Sequence, residues 1–181
     1  MLLGGQTLPL LFASAGQINA QVPYGIAINT EHQLIVQRGT RFTVPEPVTV
    51  APAQPAVFTL DQSGTGQGVI VDPSFQVVGP GNAATAGDVV IVFCSGLGEV
   101  DPPVVAGDAA PSSPLSTTAD QVTVSIGGVD APVQFAGLAP GFTGLYQVNV
   151  VVPAGVTPGN DVPVVLSVSG QSSPPVTIAV Q

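Results

Sequence analysis

Two stretches of this chain are written to one pattern. The first carries Gly4-Gly5, Pro9, Phe12-Ala13, Gln17, Asn19 and Pro23; the second carries Gly127-Gly128, Pro132, Phe135-Ala136, Gln147, Asn149 and Pro153. The interval from the glycine pair to the Phe is the same in both. The second copy then inserts seven residues, Gly137 to Thr143, before the spacing matches again. Downstream, VTVA at 48–51 answers VTIAV at 176–180. Such a duplication constrains the fold before any local propensity does, because both copies must suit one structural unit.

That unit reads as β. In Gln147–Pro153 the residues Val148, Val150 and Val152 fall on one face, and Gln147, Asn149 and Val151 on the other. This is the period of a half-buried strand. Pro153, lacking an N–H, ends its ladder. The first copy places Ile18, Ala20 and Val22 inward and Gln17, Asn19 and Gln21 outward. Short Val/Ile/Leu runs recur along the chain, punctuated by 22 glycines and 19 prolines, as in all-β proteins with many turns. Strands are expected at 68–72, 75–78, 88–94, 121–126, 132–136, 145–152, 162–168 and 175–180, and earlier at 8–13, 17–22, 33–37 and 47–50. The expected fold is therefore all-β with essentially no helix. It consists of immunoglobulin-like β-sandwich modules in tandem: a partial module over 1–51, a Pro/Gly-rich linker over 52–67, and a complete module over 68–181. The partial module has no counterpart of the 88–94 strand and is expected to expose core and unpaired edges.

Residues 1–15, MLLGGQTLPLLFASA, imitate a signal peptide through Ala13-Ser14-Ala15, but they lack a positive start and are broken by Gly and Pro. The duplication assigns them to strands instead. No apolar run is long enough to span a bilayer. The formal net charge is −9, with no Lys and with Arg38 and Arg41 against eleven carboxylates. That balance argues against nucleic acid and anionic membrane surfaces as partners.

The segments GDVVIVFCSGLG (87–98), VSIGGVDAPVQFAGLAPGFTGLYQVNVVVP (124–153), ASAGQINAQVPY (13–24) and FTLDQSGTGQGVIV (58–71) together resemble an uncharacterised C-terminal domain family of Solibacter-type acidobacterial secreted proteins. That family is built of paired TIG/IPT-type immunoglobulin-like modules. The resemblance implies a secreted or cell-surface bacterial host protein and supplies no catalytic residues. Two departures stand out. The stretch that leads the first Gly-Gly in family members is absent here, so the chain reads as the tail of a longer polypeptide or as a module completed from elsewhere. Cys94 stands where the family has a small polar residue.

Candidate chemistry is sparse. Cys94 lies in the apolar run Val89–Cys94 and reads as a buried thiol, not a nucleophile. His32, in NTEHQ, reads as an exposed loop residue without a Ser or Asp arranged around it. Gly64-Thr-Gly66-Gln-Gly68 precedes a strand rather than a helix, which makes it a hairpin or linker and not a phosphate loop. Arg38 and Arg41, flanking Gly39-Thr40, read as surface ion-pairing residues. Glu99, Asp101 and Asp108 are weak metal candidates in a Pro-rich loop, lacking the spacing of an EF-hand. Phe142, in the loop 137–144, reads as a plug over the sandwich end or as an exposed contact, the plug being preferred. The candidate interaction residues are Phe142 and Tyr146 with the outward-facing Gln17, Asn19, Gln147 and Asn149.

Nothing here pairs a nucleophile with a base. The expectation is a structural or interaction module that is not an enzyme and needs no cofactor. Its partner would be protein, either itself or its host polypeptide, joined by β-strand addition. The alternative is a ligand-binding module taking Ca²⁺ or a glycan at the 99–108 or 137–144 loops.

Overall fold

A computed structural model describes residues 1–181. The chain is all-β, with multiple antiparallel sheets and no helix. Most of it forms two sheets around one core. The first sheet runs in the order Gly66–Gln67, Val176–Val180, Gly159–Val168, Thr123–Ile126, Val129–Ala131, with Gln171–Ser172 also paired to Gly159–Val168. The second runs Ile70–Val71, Val89–Ser95, Tyr146–Val151, Val133–Leu138, Thr117–Thr118, Val100–Asp101, with Ala56–Val57 also paired to Val89–Ser95. Both contribute their inward residues to a cluster of 27 buried residues. The period-2 pattern placed the key faces correctly: Val148, Val150 and Val152 are buried, while Gln147, Asn149 and Val151 are half-buried.

The first module repeats part of this plan. A four-stranded sheet runs in the order Gln6–Thr7, Leu2–Leu3, Thr30–Ile35, Glu46–Val50, and a separate ribbon pairs Leu10–Ala13 with Ile18–Ala20. Its core is small: Leu3, Leu8 and Ile26 are buried, with Met1, Ala20, Leu34, Val48 and Val50 packed partly against them.

The duplication extends to backbone detail. Each copy opens on a hairpin whose two central glycines have positive φ, +56° and +81° at Gly4-Gly5 and +61° and +79° at Gly127-Gly128. Only glycine adopts that pair of conformations readily, and the resulting turn suits the twist of the flanking strands. Each copy also carries the same register shift, between Leu10 and Phe12 and between Val133 and Phe135, with Phe12 opposite Asn19 and Phe135 opposite Asn149. The alignment of the closing strands needs one correction. Gly4 N–H donates to the Gln33 carbonyl as Gly127 N–H does to that of Pro163, and His32 pairs with Val48 as Val162 pairs with Ile178. Val48–Val50 thus answers 178–180. A shift of two residues leaves every side chain on its face, so the sequence pattern is blind to it.

Three expectations fail. The 52–67 segment is not a free linker. Ala53 and Val57 are in the core, Gln54 N–H donates to the Gly96 carbonyl at 2.8 Å, and Ala56–Val57 pairs with Cys94 and Ser95. Its prolines suit an edge strand, where missing donors are tolerated. No strand forms over 75–78, where a single bridge joins Val71 to Val77. There the Asp72 carboxylate accepts from the N–H groups of Ser74 and Gln76 at 2.8 and 3.0 Å, holding a loop in which Phe75 has φ +60°; a side-chain oxygen outcompetes the ladder. Finally, Val22 is exposed instead of inward, while Gln21 is half-buried. This end of the first copy turns to meet the second module.

Candidate functional site

The repeated Gln-x-Asn has a local role. Gln147 Nε2 donates to Asn149 Oδ1 at 2.8 Å, and Gln17 Nε2 donates to Asn19 Oδ1 at 2.7 Å. Two amides on one strand face are one pleat repeat apart, so the pair is satisfied along its own strand.

The backbone of that strand distinguishes the modules. In the second, Val89–Ser95 lies antiparallel along it, with Val90 opposite Val150, Val92 opposite Val148 and Cys94 opposite Tyr146. In the first, Ile18–Ala20 pairs only with Leu10–Ala13. Gln17 C=O accepts from Ser14 N–H at 2.8 Å and Gln21 N–H donates to Pro9 C=O at 3.0 Å. By alternation the odd-numbered residues spend their backbone groups on the ribbon, and Ile18, Ala20 and Val22 present theirs to the open side. Where Val148 is fully buried, Ile18 is half-exposed, and Leu10, Leu11 and Phe12 are each about half exposed. The result is an unpaired edge beside an incompletely covered core.

The loops considered for ligands are engaged within the chain. Gln21 Oε1 accepts from Gly107 N–H at 2.8 Å, Tyr24 Oη lies 3.0 Å from Tyr146 Oη, and Tyr24 packs against the large core. A Cβ at Gly107 would meet Pro9 at 3.0 Å, and one at Gly144 would meet Gln21 at 3.2 Å. Tyr146 is buried and also donates to the Gly98 carbonyl; burial, together with the Tyr24 contact, pushes its phenol well above the ordinary range. The 99–108 and 137–144 loops therefore form the seat of the first module. Glu99, Asp101 and Asp108 are all exposed, and no three His, Cys, Asp or Glu side chains converge as a metal site requires. Phe142 is not a plug. It is 58% exposed and borders a groove of about 840 Å³ with Phe58, Leu60, Phe93 and Leu145.

His32 lies in the Thr30–Ile35 strand instead of a loop, at the position of Val162 in the other copy. Its Nε2 lies 2.7 Å from the Ala27 carbonyl, which makes that nitrogen the donor and spends it on the backbone. Arg38 and Arg41 face one another across an exposed hairpin. Cys94 is fully buried, and burial pushes its thiol up to about 12. Gln21 and Tyr24 are the contact residues that sequence reasoning missed. The one available signal was that Tyr24 is one of only two tyrosines in the chain.

No protein-family model, no curated protein and no solved structure matches the chain.

Proposed function

We propose that this chain is a non-catalytic structural and interaction module of an exported or cell-surface bacterial protein. It comprises two immunoglobulin-like units, the second a closed scaffold and the first an acceptor completed by β-strand addition. The observation that carries this reading is an open edge: within residues 1–181, Ile18–Ala20 has no neighbour where its duplicate has Val89–Ser95. Main-chain groups at an open edge supply affinity for an extended segment, and alternate side chains supply specificity. The resemblance of 13–24 and 124–153 to modules of secreted acidobacterial proteins supports the export assignment. The buried Cys94 thiol and the backbone-tied His32 support a role without catalysis. Calcium binding at the loops draws no support, because Glu99, Asp101 and Asp108 do not converge as a metal site requires.

The test is a peptide spanning Asp88–Ser95 with Cys94→Ser, added in large excess to the dilute full chain and followed by amide hydrogen exchange. The amides of Ile18, Ala20 and Val22 become protected, and a peptide carrying Val90→Asp and Val92→Asp protects them far less. No protection, or equal protection by both peptides, overturns the reading.

A further inference from the structure

We propose that copies of this chain join head to tail: the exposed hairpin of Gln37–Arg38 and Arg41–Phe42 of one copy enters the apolar groove beside Phe142 on the second module of another. This contact does not involve the edge at Ile18–Ala20 and stands apart from the strand-acceptor reading.

The duplication isolates the hairpin as a contact surface. In the alignment that sets His32 against Val162, the hairpin answers the pairing of Gly159–Val168 with Gln171–Ser172. Gln37 pairs with Phe42 and Arg38 with Arg41, as Ser167 pairs with Ser172 and Val168 with Gln171. Val36 N–H donates to Thr43 Oγ1 at 3.0 Å, as Leu166 N–H does to Ser173 Oγ at 3.1 Å. The backbones match, but the outward side chains do not. Gln171, Ser172 and Pro174 are exposed in the second module, so the unit itself turns these positions to water. The first copy fills them with Arg41, Phe42 and Val44, and Phe42 is 61% and Val44 87% exposed. Large apolar side chains placed side by side where the fold faces water mark an interaction site.

The groove is equally particular to the second copy. Phe142 belongs to the insertion Gly137 to Thr143, which the first copy lacks. Its loop is held in place: Phe142 C=O accepts from Ala110 N–H at 2.9 Å, and Gly141 N–H donates to the Ala110 carbonyl at 2.8 Å. Phe58 and Leu60 are fixed by their own N–H groups, which donate to the Phe93 and Gln67 carbonyls, each at 3.1 Å. Phe58, Leu60 and Phe142 are each about half exposed, and no charged side chain lines the groove. Its volume of about 840 Å³ is that of a ligand-sized site. Phe42 and Val44 supply the apolar anchor for it.

Charge selects the same pairing. Arg38 and Arg41 are the only Arg residues, and the chain has no Lys; nine of the eleven carboxylates lie in 52–181. The hairpin is therefore drawn to the second module of another copy, whereas two second modules repel. Asp61, between the groove residues Leu60 and Gln62, is exposed. Arg38 and Arg41 stand directly opposite one another, a like-charge pair that disfavours the free hairpin and is relieved when carboxylates approach. Phe42 and Phe142 both stay exposed within one chain, so the contact lies between copies. Its two surfaces differ, so each added copy brings a free hairpin and a free groove, and assembly does not stop at a dimer.

The experiment is size-exclusion chromatography with light scattering on the full chain, over a concentration series at low and high salt. The expected mass rises with concentration beyond twice 18.0 kDa and falls as salt is added. Phe142→Ser disables the groove, and Phe42→Ser with Arg41→Glu disables the hairpin; all three positions are exposed, so the circular dichroism spectra stay unchanged. Each variant alone has its dissociation constant raised at least about tenfold. Mixed together they form a complex that stops at twice 18.0 kDa, one chain supplying the hairpin and the other the groove. A parent chain monomeric at every concentration, association indifferent to either variant, or a mixture that stays monomeric overturns the proposal. Protection of Ile18, Ala20 and Val22 by the Asp88–Ser95 peptide is the same in parent and variants, so failure of the strand-acceptor reading is seen separately.

Discussion

Tyr146→Phe tests whether the two modules are energetically coupled. The Tyr146 hydroxyl bonds within its own module and also reaches the first: it donates to the Gly98 carbonyl and lies 3.0 Å from the Tyr24 hydroxyl. Its ring is buried against Cys94 across the ladder and stays in place in the variant. Removing the oxygen strips a partly buried carbonyl of its donor, which costs about 1–3 kcal/mol, and leaves a half-exposed Tyr24 hydroxyl to find water. The expected loss is about 2 kcal/mol. Tyr24→Phe leaves the Tyr146–Gly98 bond intact, so its expected loss is about 0.5–1 kcal/mol, the net worth of one neutral hydrogen bond. Urea denaturation of the full chain followed by circular dichroism, for both single variants and the double, measures these values. The double variant should fall short of additivity by about 0.5–1 kcal/mol. Equal losses for the two single variants, or strict additivity, would refute the shared hydroxyl as the link.

Gly96→Ala tests the place of the 52–57 segment. Gly96 has φ +76°, and a Cβ there would lie 2.0 Å from the Gln54 carbonyl oxygen; left-handed strain of about 1–2 kcal/mol adds to displacement of an edge strand. An expected loss of about 3 kcal/mol in the same assay follows, and less than about 1 would mean that the segment is not held there. Alkaline stability reports on Cys94. Its thiol keeps its proton in the fold up to about 12 against an ordinary 9.0, so the unfolded chain binds fewer protons between those values. Stability then falls by about 1.4 kcal/mol per pH unit as the pH rises through that window. Cys94→Ala abolishes this slope and leaves only the steepening from Tyr146, whose phenol is also raised above its ordinary 10.0; an unchanged slope by pH-dependent denaturation would count against a buried thiol. Ser116 is buried with its hydroxyl unpartnered. Ser116→Ala is therefore expected to be neutral or to raise stability by up to about 1 kcal/mol, and a loss beyond that would reveal a hidden partner.

Residue types and their spacing carried much of this architecture. The face of Gln147–Pro153, the expected 88–94 strand found at Val89–Ser95, and the two glycine hairpins are local matters of side-chain alternation and φ preference. Phe142 and Tyr24 were not legible. A loop aromatic is equally compatible with a plug and with an exposed contact, and the choice depends on whether another segment arrives to cover it. Here Tyr24 was brought against the large core and Phe142 was left outside.

By itself, then, the sequence determined the β class, the duplicated unit and its inward faces, because these follow from periods of two residues and from the conformations glycine and proline allow. The tertiary structure alone decided that 52–67 joins the sheets, that the 99–108 and 137–144 loops seat the first module, and that Ile18, Ala20 and Val22 face an open side. Each of those depends on which distant segment lies alongside, and pairing between segments far apart in the chain leaves no mark on the local pattern of either one.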